Sequence, residues 1–79
     1  GEAALHAPMP AAVIAIPVKL QQTVKQGDAL MVLEAMKMEH TIFAPFAGTV
    51  TAVYFDIGHV VQEGSKLIEL APLSQENEG

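Results

Sequence analysis

The chain contains two similar segments: residues 7–34 read APMPAAVIAIPVKLQQTVKQGDALMVLE, and residues 44–71 read APFAGTVTAVYFDIGHVVQEGSKLIELA. The two copies align without a gap at a constant offset of 37 residues. The identical pairs are Ala7/Ala44, Pro8/Pro45, Val13/Val50, Ala15/Ala52, Val24/Val61, Gly27/Gly64, Leu30/Leu67 and Leu33/Leu70. Because two copies are too few for a solenoid, the sequence predicts two like units that pack on each other.

Each copy carries the signals of short β-strands separated by turns. Val13–Ile16 and Val50–Phe55 are rich in β-branched or aromatic residues, which favour strands. Turn-forming residues surround Gly27 and Gly64, and an apolar run follows each turn. Pro17 should mark a strand edge or a bulge, since proline cannot donate a hydrogen bond to a central ladder.

Residues 29–40, ALMVLEAMKMEH, leave two structures open. The segment is full of good helix formers, and Asp28 could cap the amino end of a helix. Its repeat partner is stopped by Pro72 after too few residues for a stable helix, however, and a second strand-like run, Thr41–Phe43, follows the segment. A hairpin that bends near Met36 and Lys37 therefore competes with the helix, and its bend would lie midway between the copies.

Composition restricts the function of this 79-residue chain to a few classes. Nine Asp and Glu residues against four lysines give a formal charge of -5, which disfavours nucleic-acid binding. The absence of cysteine excludes disulfides and thiolate zinc sites. No apolar run approaches the roughly 20 residues that span a bilayer. We therefore expect one small acidic domain with a carrier or binding role and no membrane partner.

Conventional catalytic and metal sites are not evident in the sequence. The three histidines, His6, His40 and His59, lie far apart and lack the paired spacing typical of a metal site. The glycines are scattered as single turn residues, so no phosphate-binding loop is present. Glu34 and Glu39 could act as an acid and a base, but the favoured interpretation is that they are solvated charges that support a hairpin.

The most informative residue is Lys37, which stands between Met36 and Met38 in the segment EAMKMEH, residues 34–40. One interpretation is an ordinary solvated lysine in a methionine-rich segment. The other is an amine that a tight turn presents to a modifying enzyme. A lysine ammonium must lose a proton before it acts as a nucleophile, which favours modification by a partner over self-catalysed chemistry.

The segment Glu34–Met38, EAMKM, resembles the A-M-K-M signature of biotinyl domains, also called biotin carboxyl carrier domains. The resemblance extends over about residues 5–70. It implies an all-β fold, a flattened β-barrel or sandwich of two quasi-symmetric four-stranded antiparallel sheets, biotinyl/lipoyl-like, with the modified lysine on an exposed hairpin. It thus favours the hairpin for residues 29–40. Leu20–Asp28 has no insertion, which separates this chain from carriers with a protruding thumb.

The resemblance implies that Lys37 carries covalent biotin, attached by a biotin protein ligase that recognises Met36, Met38, Ala35 and Glu34. The domain itself would be non-catalytic. It would carry a carboxyl group from a biotin carboxylase domain to a carboxyltransferase within an ATP-dependent complex of the ligase class. The run Met38–Ile42 most resembles acyl-CoA carboxylases, especially the methylcrotonyl-CoA type. Propionyl-CoA, geranyl-CoA, acetyl-CoA and pyruvate carboxylases and biotin-dependent decarboxylases stay open.

Other functions compete with this interpretation. A lipoyl carrier of a 2-oxoacid dehydrogenase-type complex resembles the fold but typically has Asp-Lys-Ala, where this chain has Met36 and Met38 around Lys37. An unmodified interaction module and a small independent enzyme are further alternatives.

The sequence also predicts boundaries and surroundings. We expect a flexible segment at residues 1–4, the carrier domain at residues 5–72 and a flexible acidic tail at residues 73–79. The isolated domain should be monomeric. No targeting signal is visible, so the expected compartment is the cytoplasm in a bacterium and the mitochondrial matrix in a eukaryote.

Overall fold

The computed structural model describes residues 2–73 of the chain and places eight strands there. They are β1 (Ala3–His6), β2 (Ala11–Ala15), β3 (Thr23–Val24), β4 (Ala29–Ala35), β5 (Met38–Phe43), β6 (Gly48–Val53), β7 (Val60–Val61) and β8 (Lys66–Pro72). Between residues 2 and 73 no helix has the length and apolar character needed to cross a membrane. Residues 29–40 form a β-hairpin, so the helix alternative is wrong.

The strands form two four-stranded antiparallel sheets, with the orders β1-β8-β6-β3 and β5-β4-β2-β7. The repeat offset of 37 residues converts each strand of the first sheet into the strand at the same place in the second. The predicted all-β architecture of two quasi-symmetric sheets is therefore confirmed. Residues 20–28 contain only two short turns and β3, as expected for a domain without a thumb.

Reciprocal backbone hydrogen bonds join the two copies. Each copy donates an N–H to the carbonyl that stands at the equivalent position in the other copy, as a twofold relation requires. The pairs are Gly27 to Ala44 and Gly64 to Ala7, both 2.8 Å, and Val13 to His59 and Val50 to Gln22, both 2.9 Å. The two copies thus satisfy some of each other's backbone polar groups.

The core between the sheets is apolar and follows the same symmetry. Most of its buried residues occur in pairs separated by the repeat offset: Ala7/Ala44, Val13/Val50, Val24/Val61, Leu30/Leu67, Met31/Ile68 and Leu33/Leu70. Burial of each leucine stabilises the fold by roughly 1.5–3 kcal/mol relative to exposure. The repeated positions in the sequence are therefore the positions that build the core.

Strand boundaries differ from the sequence prediction. β2 and β6 each begin two residues before the predicted starts at Val13 and Val50. The register of β2 shifts between Val13 and Ala15, so the bulge precedes Pro17 and the strand ends before that residue. β1 begins at Ala3, earlier than the predicted boundary at residue 5, because Ala3 pairs with Leu70. Gly1 and residues 74–79 of the predicted tail lie outside the described residues.

Candidate functional site

Lys37 lies at the tip of the hairpin between β4 and β5. The ladder pairs Glu34 with Glu39 and, at its end, Ala35 with Met38, which leaves Met36 and Lys37 as a two-residue loop. Their φ angles are 53° and 66°, so both residues adopt the left-handed conformation. A two-residue hairpin loop with positive φ at both positions is a type I′ turn, whose twist matches that of the adjoining strands.

The tip holds backbone strain that its sequence does nothing to relieve. Type I′ turns favour Asn and Gly, because a Cβ in the left-handed region costs roughly 1–2 kcal/mol per residue. Here the two positions are Met36 and Lys37. Ladder pairing up to Ala35 and Met38 imposes this conformation from both sides. Strain that surrounding structure holds in place is typical of functional sites, and here it fixes the direction of the chain at Lys37.

Both methionines at the tip are exposed, and Met36 is the most exposed large apolar residue among those described. Met36 is 93% exposed and Met38 61%, whereas Met31 in the same strand pair is completely buried. Lys37 is also exposed. Among residues 2–73 the only ion pair joins Lys66 to Glu69, so no described carboxylate neutralises the Lys37 ammonium. The Lys37 amine is therefore accessible to an enzyme that approaches the tip.

The hairpin has two chemically different faces. Because side chains alternate along a strand, Ala35 and Met38 share the face of buried Leu33, while Glu34 and Glu39 share the opposite face. Directly opposed like charges destabilise a strand pair, so the Glu34–Glu39 pair is a second feature that stability alone does not explain. Lys37 is thus flanked by an apolar face and an acidic face.

The described structure gives no sign of an enclosed active site. Residues 2–73 enclose no pocket, and no group of three His, Asp or Glu side chains in that range is placed to hold a metal. His6 lies on β1, His40 on β5 and His59 in the turn before β7.

A separate charged cluster lies on the other sheet. Lys66 Nζ is 3.4 Å from a carboxylate oxygen of Glu69 and 5.6 Å from the centre of the Tyr54 ring. The Tyr54 hydroxyl is the main cause that lowers the pKa of Glu69, and Glu2 and Lys66 lower it further. Lost hydration and the neighbouring Glu69 carboxylate raise the pKa of Tyr54. This cluster is carried by β8 and the residue after β6, so it does not belong to the hairpin site.

Comparison with known proteins agrees with the hairpin geometry. The model of the biotin/lipoyl family described as "Biotin-requiring enzyme" matches residues 3–70. The chain belongs to this family. The match includes the whole hairpin, the first copy of the repeat and all but the last residue of the second.

Relatives of this biotin-requiring domain are carriers and carboxylase chains. It is 45% identical over 67 residues to the biotin carboxyl carrier protein of Streptococcus mutans, 46% over 63 residues to the rat mitochondrial methylcrotonoyl-CoA carboxylase subunit alpha, and 42% over 66 residues to the human mitochondrial propionyl-CoA carboxylase alpha chain. These alignments cover 85%, 80% and 84% of this chain. They span 52% of the first relative and 9% of each of the other two.

Solved structures share the fold. A single-chain, multi-domain long-chain acyl-CoA carboxylase superposes with a TM-score of 0.87 and 32% identity over 99% of this chain and 8% of that protein. The lipoyl domain of the Azotobacter vinelandii 2-oxoglutarate dehydrogenase complex gives 0.77 and 20%, over 86% of this chain and 94% of its own. The second likeness shows the common fold alone, and the named relatives favour biotin over lipoate.

Sequence reasoning placed Lys37 correctly at a bend but missed two properties of the site. It did not predict that Met36 and Lys37 both take positive φ, since neither is a residue that favours it. It named Glu34 without placing Glu39 opposite it. That pairing was available, because a two-residue loop centred on residues 36 and 37 fixes the register of both strands.

Proposed function

We propose that this domain is a biotin carboxyl carrier in which Lys37 is the attachment residue. The supporting observation is the strained, fully projecting type I′ turn at the midpoint of a biotin-family fold, with Lys37 as its second residue. Turns of this kind place a side chain beyond the end of both strands. The domain then presents its cofactor away from the core, where other enzymes can reach it.

Attachment is an acylation of Lys37 by a biotin protein ligase. The Nζ atom of Lys37 would lose a proton and form an amide bond with the carboxyl carbon of biotin, while one carboxyl oxygen would depart with the ATP-derived group that had activated it. The domain supplies the amine and its direction, and the ligase supplies the base and the activated acyl group. An exposed amine without a described carboxylate partner fits this division of roles.

Recognition by the ligase uses the residues around the turn. Met36 and Met38 project from the tip and offer soft, adaptable apolar contacts. Ala35 is small, which leaves the approach to the apolar face open. Glu34 adds a charge on the opposite face, beside Glu39. We assign recognition to Met36, Met38, Ala35 and Glu34, with the methionines as the larger contributors because they are large apolar side chains exposed to solvent.

The domain works as a carrier between two enzymes and catalyses neither reaction. When attached, biotin supplies the group that holds a carboxyl unit between a biotin carboxylase and a carboxyltransferase. The rigid two-sheet body sets where Lys37 starts, and the long lysine side chain allows the cofactor to move. Tethering makes the second encounter intramolecular, which raises effective concentration to about the millimolar range for short linkers.

We propose an acyl-CoA carboxylase as the parent enzyme, with 3-methylcrotonyl-CoA as the first substrate to test. The run Met38–Ile42 and the 46% identity to the rat methylcrotonoyl-CoA carboxylase subunit support this choice. Such a parent belongs to the ATP-dependent ligases. The matching compartment is the cytoplasm of a bacterium or the mitochondrial matrix of a eukaryote, and the isolated domain is proposed to be monomeric.

The test of attachment compares the parent chain with Lys37→Ala after incubation with a biotin ligase, biotin and ATP. Intact mass and streptavidin binding report the adduct. The matched control is Lys25→Ala, since Lys25 is another exposed lysine next to a turn. We expect one biotin on the parent and on Lys25→Ala, and none on Lys37→Ala. Biotin on Lys37→Ala would assign attachment elsewhere.

The same measurement separates the other functions. If a lipoyl ligase adds the mass of a lipoyl group to Lys37 and a biotin ligase adds nothing, the result would support the lipoyl carrier. No adduct with either enzyme would support an unmodified interaction module. To choose the substrate, the biotinylated domain is added to partner carboxylase subunits, and carboxylation of 3-methylcrotonyl-CoA is compared with that of propionyl-CoA, acetyl-CoA and pyruvate.

A further inference from the structure

Four methionines in this chain occupy very different environments. Met31 is completely buried, and Met9 is half-buried against the core. Met36 and Met38 are 93% and 61% exposed. A side chain that is almost fully exposed contributes little packing, so the fold does not need the thioether of Met36. Two reactive sulfur atoms are thus presented to solvent on either side of Lys37.

We propose that Met36 and Met38 form an oxidation site that controls access to Lys37. This inference rests on the proposed attachment of biotin at Lys37. The oxidant is a peroxide, and the two thioethers are its targets. The reduced site is accepted by the ligase and the oxidised site is rejected, while the body of the domain stays folded in both states.

The oxidation is a two-electron oxygen transfer. A lone pair on the methionine sulfur attacks one oxygen of hydrogen peroxide, a sulfur–oxygen bond forms as the oxygen–oxygen bond breaks, and water leaves. Sulfur is oxidised and the peroxide is reduced. The product, methionine sulfoxide, is polar and chiral, and methionine sulfoxide reductases return it to methionine.

The positions of Met36 and Met38 keep the effect of their oxidation local. Oxidation of Met31 would place a polar sulfoxide in the core, whereas Met36 and Met38 have room for an added oxygen in solvent. Met36 is the first residue of the turn, and Met38 closes the ladder on the apolar face of the hairpin. Oxidation therefore makes the apolar approach to Lys37 polar without disturbing the ladder or the core.

The experiment treats the 79-residue chain, before biotinylation, with graded hydrogen peroxide and maps each methionine by peptide mass. We expect Met36 and Met38 to gain one oxygen each before Met9 and Met31. Circular dichroism should stay unchanged over that range. The oxidised and untreated chains are then given to a biotin ligase, and the initial rates of biotin incorporation are compared.

We expect oxidation to slow biotin incorporation about tenfold, the effect of losing roughly one good apolar contact at an interface. Treatment with sulfoxide reductases A and B should restore the rate. In a Met36→Leu, Met38→Leu variant the ratio of treated to untreated rates should stay near one, whatever its untreated rate. In Met9→Leu the ratio should fall as in the parent.

Three results would overturn the proposal. They are an unchanged rate after both tip methionines are oxidised, oxidation of Met9 or Met31 before the tip, and a loss of rate that accompanies unfolding. A failure of the proposed function is distinguishable, because the untreated chain would then take up no biotin even though the order of methionine oxidation is still measured.

Discussion

The two copies of the repeat build the same turns with different side chains. In the first copy Gln22 Oε1 accepts the N–H of Lys19 at 3.0 Å, and in the second His59 Nδ1 accepts the N–H of Asp56 at 2.9 Å. Before β4 the acceptor is the Asp28 carboxylate, at 2.9 Å, and before β8 it is the Ser65 hydroxyl, at 3.0 Å. Each of these turns has a side-chain acceptor for a backbone N–H, and different residue types provide that acceptor in the two copies.

The copies differ in chain connection where β4 and β8 end. β4 continues through Met36 and Lys37 into β5, whereas the strand equivalent to β5, β1, is reached from β8 only across the two ends of the chain. The features that the two copies share therefore form the body of the domain. The strained turn has no counterpart in the other copy, and it is the feature that the proposed function uses.

The largest effect should come from the core, where the copies are equivalent. Leu33→Ala and Leu70→Ala each remove a completely buried side chain at the same position of the repeat. We expect each to lower the free energy of unfolding by about 2–5 kcal/mol, because a cavity is left behind. Urea unfolding of both variants measures the losses. A difference between them of more than about 2 kcal/mol would show that the halves are not energetically equivalent.

The next largest effect is expected at a position where the two copies are not equivalent. Gly48 occupies the position of Ala11 in the other copy, but a Cβ on Gly48 would collide with the Ala71 carbonyl oxygen and lie 3.2 Å from Leu70 Cγ. We expect Gly48→Ala to cost about 2–3 kcal/mol of stability, because a backbone carbonyl cannot move aside without parting β6 from β8.

The matched change at the equivalent position is Ala11→Gly, which creates no collision. It should cost about 1 kcal/mol through greater chain entropy. Equal losses in the two variants, measured by urea unfolding, would contradict the steric explanation.

A smaller effect of opposite sign is expected at the turn that has no counterpart. Met36→Asn places a residue that tolerates positive φ in the type I′ turn and loses almost no packing. We expect stability to rise by about 0.5–1 kcal/mol while biotin incorporation at Lys37 slows. Met38→Asn, in an extended position, is the control and should not stabilise. Thermal unfolding measures the change in stability, and the ligase assay measures the change in the rate of biotin incorporation.

The smallest effect concerns the charged cluster, which exists in one copy only, since Val32 stands where the other copy has Glu69. The pKa of Glu69 lies below its ordinary value of 4.5 in the folded protein. Its contribution to stability is therefore present above that value and is lost as the pH falls through the folded pKa.

Urea unfolding between about pH 3 and pH 7 should show a weaker acid loss in Glu69→Gln than in the parent. Glu63→Gln, a turn carboxylate outside the ion pair, is the control and should follow the parent curve. If the plots of unfolding free energy against pH are identical for all three chains, the cluster does not contribute to stability.

The sequence predicted the fold because its repeat coincides with the core. Val13/Val50, Leu30/Leu67 and Leu33/Leu70 are identical pairs and also buried pairs, so internal alignment located the interior directly. Gly27 and Gly64 were assigned to turns, and both have positive φ, 91° and 85°. The hairpin was not determined by the residues alone, because local helix propensity and strand pairing disagree over residues 29–40.

The sequence could not predict backbone conformations that are imposed by strand pairing with other parts of the chain. Positive φ at Met36 and Lys37 follows from ladder pairing on both sides and contradicts the local preferences of both residues. The early start of β1 likewise depends on Ala3 pairing with Leu70, a partner far along the chain. Lys37 was found because its motif resembles a family, whereas its strained geometry required the structure.

The placement of β8 beside β1 has a topological consequence. Leu70 pairs with Ala3 as Leu33 pairs with His40 beside the hairpin, so β8 and β1 lie side by side in the same way as β4 and β5. A short linker from β8 to β1 would make the chain cyclic and create a second tip related to the first by the twofold rotation. A cyclic chain with Met-Lys-Met in that linker would be a divalent carrier, and opening it at Lys37 instead would yield a circular permutant with the cofactor position moved to the former ends.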